Sequence, residues 1–225
     1  ESSLIDQKLS NTSIFPESFD MTTNQKKPEK KLTVTKSMWN EFSDNNQDNE
    51  NISKLLKYCI DHQHWSIFEM AFMTLEINTS RGIAAQILRH RSFTFQEFSQ
   101  RYSQALKSTD FQLRKQGKTN RQVGDELVED DAIQYYIDDL LQKSFSLYES
   151  LIEQGVAKES ARMILPLSTE TTMYMSGTLR SWLHYIDLRA QKDTQKEHRE
   201  IAEGCKQIFI DQFPTLAEAL EWKSC

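Results

Sequence analysis

The stretch from Gln86 to Tyr102 interleaves cations with aromatic rings: Arg89, Arg91 and Arg101 surround His90, Phe93, Phe95 and Phe98, with Glu97 and Ser99 among them. Phenylalanines seek a core, whereas guanidinium groups need water or an anion, so the fold must lay this segment along a wall, apolar behind and cationic in front. The planar fork of arginine grips phosphate or carboxylate at two points. Rigid aromatics beside fixed arginines then make a floor for a flat, phosphorylated ligand. A solvated basic face is the plainer alternative, and the spacing of the phenylalanines weighs against it.

The rest of the chain supplies helices and a few strands. Ile52, Leu55, Leu56, Cys59 and Ile60 recur at helical spacing, which predicts a helix over 52–62. Phe68, Met70 and Phe72, then Met73, Leu75 and Ile77 after a slip of phase, predict a strand with a bulge. Ser80 is placed to cap a short helix, Arg81 to Leu88, with Ile83, Ile87 and Leu88 inward. Residues 103–131 are polar and read as a surface excursion. From Ala132 a 3.6-residue period through Ile133, Tyr136, Leu140, Leu147, Tyr148 and Leu151 predicts the longest helix, stopped by Gly155. A shorter helix follows over 158–165, ended by Pro166, and the Thr-rich run LSTETTMYMS alternates as a second strand. Leu179, Trp182, Leu183 and Ile186 mark an amphipathic helix, and a last long helix runs near Gln195 to Phe213. On the former, Arg180 and His184 share a face, while Arg189 points half a turn away. The expected class is α+β: a single domain over 51–225, with a small antiparallel or mixed sheet packed by long helices plus a helical part. A polar segment, 1–50, precedes it with at most one strand, KLTVTKSMW.

Charge and cysteine usage narrow the function classes. With 27 Lys and Arg against 33 Asp and Glu in 225 residues, the net charge is −6, which speaks against a general affinity for nucleic acid or anionic membrane. No apolar run is long enough to span a bilayer, and ESSLIDQKLS lacks the apolar centre of a secretory signal, so the expected location is the cytoplasm, or the host cytoplasm for a viral protein. Cys59 and Cys205 fall on apolar helical positions as small core residues, and with Cys225 they form no disulfide or metal pattern. His62 and His64 form a His-x-His without a third ligand, so no metal is expected.

Arg89-His90-Arg91, then Ser99, Arg101 and Tyr102, resemble the signature of the flavin-dependent thymidylate synthases. Two further blocks are similar to that family: HQHWSIFEM, with His64, Phe68 and Glu69 matching, and ESARMILPLSTETTMYMSGTLRSWLHYIDLRA. The resemblance runs from about Asn51 to Pro214. It implies the family's fold, a homotetramer with active sites shared between subunits, and a set of site residues. Gln86, Arg89, Glu97, Ser99, Gln100, Arg101, Arg162 and Arg189 would surround deoxyuridine monophosphate, dUMP. Ser66, Glu69, Arg89, His90, Arg91, Ser92, Glu97, Thr178, Arg180 and His184 would contact FAD, and His64 would position folate. Ile67, Met70, Gln96 and Thr178 depart from the family's more frequent residues. They motivate a second reading, a homologue that binds FAD or nucleotide but is catalytically impaired; an RNA-binding helical protein is a distant third.

The implied reaction methylates dUMP to dTMP, with methylenetetrahydrofolate as carbon donor and a hydride from FAD reduced by NADPH. Arg189 and Ser99 carry the catalytic assignments: Arg189 faces the pyrimidine and stabilises its anionic form, and Ser99, with no His/Asp relay beside it, is a positioning hydroxyl rather than a nucleophile. Dihydronicotinamide, folate and dUMP are thus the expected small-molecule partners.

Overall fold

The computed structural model describes residues 50–98, 107–118 and 124–222. In chain order its elements are α1 (Glu50–Asp61), a 3-10 turn (Trp65–Glu69), β1 (Phe72–Ser80), α2 (Arg81–Ile87), β2 (Thr94–Glu97), β3 (Arg114–Gln116), β4 (Gly124–Leu127), α3 (Asp131–Glu153), α4 (Lys158–Ala161), a second 3-10 turn (Arg162–Ile164), β5 (Glu170–Thr178), α5 (Leu179–Arg189), α6 (Lys196–Gln212) and α7 (Pro214–Ala219). This is the α+β architecture that the alternation of periods predicts. The expected strand in KLTVTKSMW, and Ser99, Gln100, Arg101 and Cys225, lie outside the described residues.

A three-stranded antiparallel sheet in the order β1-β5-β2 holds the core. β1 and β5 pair along their full lengths, from Phe72 opposite Thr178 to Ser80 opposite Glu170. Alternation buries Met73, Leu75 and Ile77 from one strand beside Met173, Met175 and Gly177 from the other. Onto that face pack α2 and α5, bringing Ile83, Ile87, Trp182, Tyr185 and Ile186 into the core. At roughly 1.5–3 kcal/mol for each large apolar side chain removed from water, this layer dominates the folding free energy. Trp182 satisfies its one donor by an Nε1–H bond of 2.9 Å to the Met73 carbonyl, which fixes α5 against β1.

Both sheet helices start without a connecting loop. Ser80 ends β1 and accepts the Ile83 N–H at 3.3 Å, and Thr178 ends β5 and accepts the Ser181 N–H at 3.3 Å. Each hydroxyl satisfies a donor that the first helical turn leaves open.

The structure corrects several expectations. Phe68, Met70 and Phe72 do not share a strand: the first two belong to a 3-10 turn and its end, Phe68 is buried, and Met70 and Phe72 are 80% and 54% exposed. The slip of phase marks the junction between turn and strand, not a bulge. Leu88, expected inward, is 41% exposed because α2 ends one residue earlier. Phe93 is buried and Phe95 packs against the core, but Phe98 is 47% exposed. The excursion after residue 107 carries an unexpected hairpin of β3 and β4, with Arg114 opposite Leu127.

The longest helix behaves as predicted at its ends and differently along its side. Asp130 caps α3 by accepting from Ala132 and Ile133 at 3.0 and 3.1 Å, and Gly155, at φ +80°, takes the left-handed turn that ends it. Yet of its apolar stripe only Tyr148 is buried, and Ile133, Tyr136, Leu140 and Leu147 are 42–70% exposed. Among the described residues no helix is long and apolar enough to cross a membrane, and no cluster of three or more His, Cys, Asp or Glu is placed to hold a metal ion.

Candidate active site

The two helices that follow β1 and β5 meet beyond the sheet. Arg189, the last residue of α5, donates its Nε–H to His90 Nε2 at 2.9 Å, joining segments 99 residues apart in sequence. A ring nitrogen that accepts from a guanidinium must be unprotonated, so His90 is neutral here with its proton on Nδ1. Burial, and then the Arg189 charge with His184 nearby, lowers its pKa to about 4. The His90 ring stands edge-on to Tyr185 at 4.9 Å between centroids, and Phe93 stands likewise against Trp182 at 4.9 Å. Arg189 is thereby held at its Nε, while its two Nη groups, a fork suited in shape to a planar anion, make no hydrogen bond to the described residues.

A second polar layer lies beneath this pair. His198, on α6, is fully buried; its Nδ1 is 3.3 Å from Gln86 Oε1 and its Nε2 is 3.2 Å from Tyr185 Oη. Gln86 Nε2 donates to Gln195 Oε1 at 2.7 Å, and Gln195 Nε2 donates to Glu197 Oε2 at 2.9 Å. Arg114, from the β3–β4 hairpin, closes the line with an ion pair to Glu197. Burial would raise the Glu197 carboxyl, but the Arg114 and Gln195 donors hold its pKa below the usual range. Burial, Arg189 and His90 lower His198 to about 4, and burial together with nearby Cys205 raises the Tyr185 phenol. Every group in this layer is therefore neutral except the Glu197–Arg114 pair.

At the other end of α5 the expected flavin contacts gather. Arg180 Nη1 bonds Glu69 Oε1 at 2.8 Å, and Arg180 and Thr178 together hold the Glu69 carboxyl below its usual pKa. Ser181 Oγ donates to the Ser92 carbonyl at 3.3 Å, which ties the loop of Arg91 and Ser92 to the first turn of α5. Arg91, Ser92 and Arg180 are exposed there, Arg89 and His184 are exposed elsewhere along the same segments, and Ser66 and His64 are exposed on and before the 3-10 turn that carries Glu69. Arg91 and Arg180 thus lie near the start of α5, where the positive end of a helix dipole favours anionic groups. His64 itself is 6.1 Å from His62 between ring centroids, and His62 stacks on Tyr58 at 3.9 Å.

Other expected residues are placed differently. Glu97, on β2, accepts from Arg81 at 3.1 Å and from Thr171 at 2.8 Å, so its carboxylate is already held by the protein. Arg162 does not join the Arg189 cluster: the 3-10 turn that carries it packs on α3 and α4. Cys59 and Cys205 are buried free thiols, and burial pushes the pKa of Cys205 up to about 12. Sequence reasoning missed His198, Tyr185, Gln195, Glu197 and Arg114. His198 carried a signal: with Ile201, Ala202, Cys205 and Phe209 it completes the buried stripe of α6, an unusual place for a histidine.

Comparison with known proteins bears on the family and the fold. Residues 18–215 match the family model described as "Thymidylate synthase complementing protein". A relative from Paramecium bursaria Chlorella virus 1, named as a probable flavin-dependent thymidylate synthase, is 55% identical over 80% of this chain and 85% of its own length. A flavin-dependent thymidylate synthase from Synechocystis is 51% identical over 79% of this chain and 84% of its own. The crystal structure of a UMP/dUMP methylase, PolB from Streptomyces cacaoi, bound with 5-Br dUMP, superposes with a TM-score of 0.70 over 87% of this chain and 97% of that one; at 23% identity it establishes the likeness of fold. With the Arg89-His90-Arg91 segment locked to Arg189 and a family match over nearly the whole length, the chain belongs to the thymidylate synthase complementing proteins, the flavin-dependent thymidylate synthases.

Proposed function

We propose that this chain forms dTMP from dUMP, taking the carbon from methylenetetrahydrofolate and the hydride from FAD that NADPH has reduced. The observation that carries the reading is the 2.9 Å bond from Arg189 to His90, which aims a preorganised guanidinium fork from the signature segment's own neighbourhood. Such a fork stabilises negative charge developing on the pyrimidine, and groups of this kind contribute on the order of 10²–10³ in rate. His90, neutral at physiological pH, orients Arg189 without competing for the anion. A buried thiol with its pKa pushed up to about 12 does not serve as the attacking group, so Cys205 is left to packing. A bound flavin supplies the hydride that no side chain can.

Gln86, Arg89, Glu97, Ser99, Gln100, Arg101, Arg162 and Arg189 are assigned to dUMP, with Ser99 as a positioning hydroxyl. Glu69, Arg91, Ser92, Thr178, Arg180 and His184 are assigned to FAD, with Ser66, Arg89, His90 and Glu97 also within its site, and His64 to folate. The exposed apolar stripe of α3 and the distance in the fold between Arg162 and Arg189 support a homotetramer whose sites draw on more than one subunit. Action on soluble nucleotides and folates accords with a cytoplasmic location, the host's for a viral chain.

The test is purified protein loaded with FAD and given dUMP, methylenetetrahydrofolate and NADPH, with nucleotides separated by chromatography. The expected result is dTMP, lost when any of the three is omitted and lost in Arg189→Ala. A flavin-loaded protein that binds dUMP but forms no dTMP would overturn the catalytic reading in favour of a nucleotide-binding homologue.

A further inference from the structure

The second polar layer has a direction built into it. The Glu197 carboxylate only accepts hydrogen bonds, so Gln195 must present its amide nitrogen there and its Oε1 to Gln86. Gln86 then gives its nitrogen to Gln195, which turns its Oε1 toward His198 at 3.3 Å. His198 must carry its proton on Nδ1 to meet that oxygen, and its bare Nε2 accepts from the Tyr185 hydroxyl at 3.2 Å. One charge, anchored by Arg114, thus sets the orientation of two amides and the tautomer of a fully buried ring. The alternative orientations place oxygen against oxygen at one link or leave a buried donor unpaired.

Resting on the dUMP reading of the site, we propose that His198 and Glu197 are positioning residues, which lock the Gln86 amide so that an N–H is what it offers to an oxygen of the bound nucleotide. Gln86 sits half-exposed on the last turn of α2, three residues before Arg89, and keeps one amide proton not used by Gln195. His90, 6.2 Å from His198 between ring centroids, packs over the same layer, so the device that orients Gln86 also underlies the pair that orients Arg189. The chain is continuous from the hairpin to the core, which gives the polar excursion after residue 107 a task that its sequence does not advertise.

The test uses full-length, flavin-loaded protein and dUMP binding by calorimetry, with unfolding midpoints measured alongside. His198→Phe keeps the bulk and removes both polar atoms; its dissociation constant for dUMP is expected to rise at least tenfold. His198→Asn, which retains a donor and an acceptor, is expected to recover to within about threefold of the parent. Glu197→Gln frees the direction of the whole chain and is expected to weaken dUMP three- to tenfold; loss of the Arg114 ion pair lowers the unfolding midpoint as well, so binding is measured at a temperature where the variant is folded. Nitrogen-15 spectra of histidine-labelled protein read the cause directly: His198 is expected as the Nδ1–H tautomer in the parent and as a mixture in Glu197→Gln. Should the parent fail to bind dUMP, the site reading and this inference fall together. If the parent binds, an unaltered dUMP affinity in Glu197→Gln, or an Nε2–H tautomer in the parent, overturns the inference and leaves the site reading standing.

Discussion

Gly177 lies at the centre of the packing that supports the signature segment, and replacing it with alanine is a sharp test of that packing. A Cβ on Gly177 would meet Phe93 Cδ1 at 2.5 Å and Cε1 at 2.7 Å. Carbon atoms settle at about 3.5–4.0 Å, so the ring must retreat by roughly 1 Å. It has little room to do so, because Phe93 is buried against Trp182 at 4.9 Å and Tyr185 at 5.8 Å between centroids. Overpacking of this kind costs about 1–3 kcal/mol. Alanine in a strand recovers about 0.5–1 kcal/mol of the glycine entropy, leaving a net loss of up to ~2.5 kcal/mol. For a chain of this length that corresponds to a fall of up to roughly 10 °C in the unfolding midpoint. The assay is a double-mutant cycle with Phe93→Leu at fixed protein concentration, followed by circular dichroism during heating. If the clash is the cause, the smaller residue relieves it and the two changes couple by ~1 kcal/mol or more. Strict additivity of Gly177→Ala and Phe93→Leu refutes the reasoning.

Further expectations concern the site. Arg189→Lys keeps the charge but not the fork or the Nε–H bond to His90, so dTMP formation should fall by about 10²-fold or more while the flavin spectrum stays intact. The double variant Cys59→Ala, Cys205→Ala should lose only ~1–3 kcal/mol of stability and retain dTMP formation; a folded but inactive protein would refute the cysteine-free assignment. His90 and His198 have folded pKa values of about 4 against an ordinary 6.5, so the unfolded chain binds more protons between those values. Stability should therefore be full above about pH 6.5 and decline as pH falls toward 4, measured as the urea midpoint across that window, and His198→Asn should remove part of the slope.

Elements announced by a period of their own were legible. β1 and β5 carry an apolar alternation, and α5 and α6 an apolar helical period, that their burial reproduces, and Ser80, Asp130 and Gly155 mark helix ends by local chemistry alone. The β3–β4 hairpin was not legible, because Arg-Lys-Gln and Gly-Asp-Glu-Leu are short, polar and without apolar alternation. The side of α3 misled for another reason: Tyr136 and Leu140 follow the period of a buried face, yet the described chain provides nothing to cover them. At the site, the cationic signature segment stood out because charge among aromatics is costly unless used. The layer beneath it escaped notice because Gln86, Gln195 and His198 are unremarkable singly and acquire meaning through one another's hydrogen bonds.

The antiparallel pairing of β1 with β5 has a further outcome. Because each strand passes straight into a helix, α2 and α5 set out from opposite ends of the same ladder and converge at His90 and Arg189. A slip of the ladder by two residues would keep the apolar side inward and leave the fold compact, but it would carry one helix about 7 Å past the other. The handclasp between those two side chains therefore works as a vernier: a chain that grips a pyrimidine has, by that act, certified its own strand alignment.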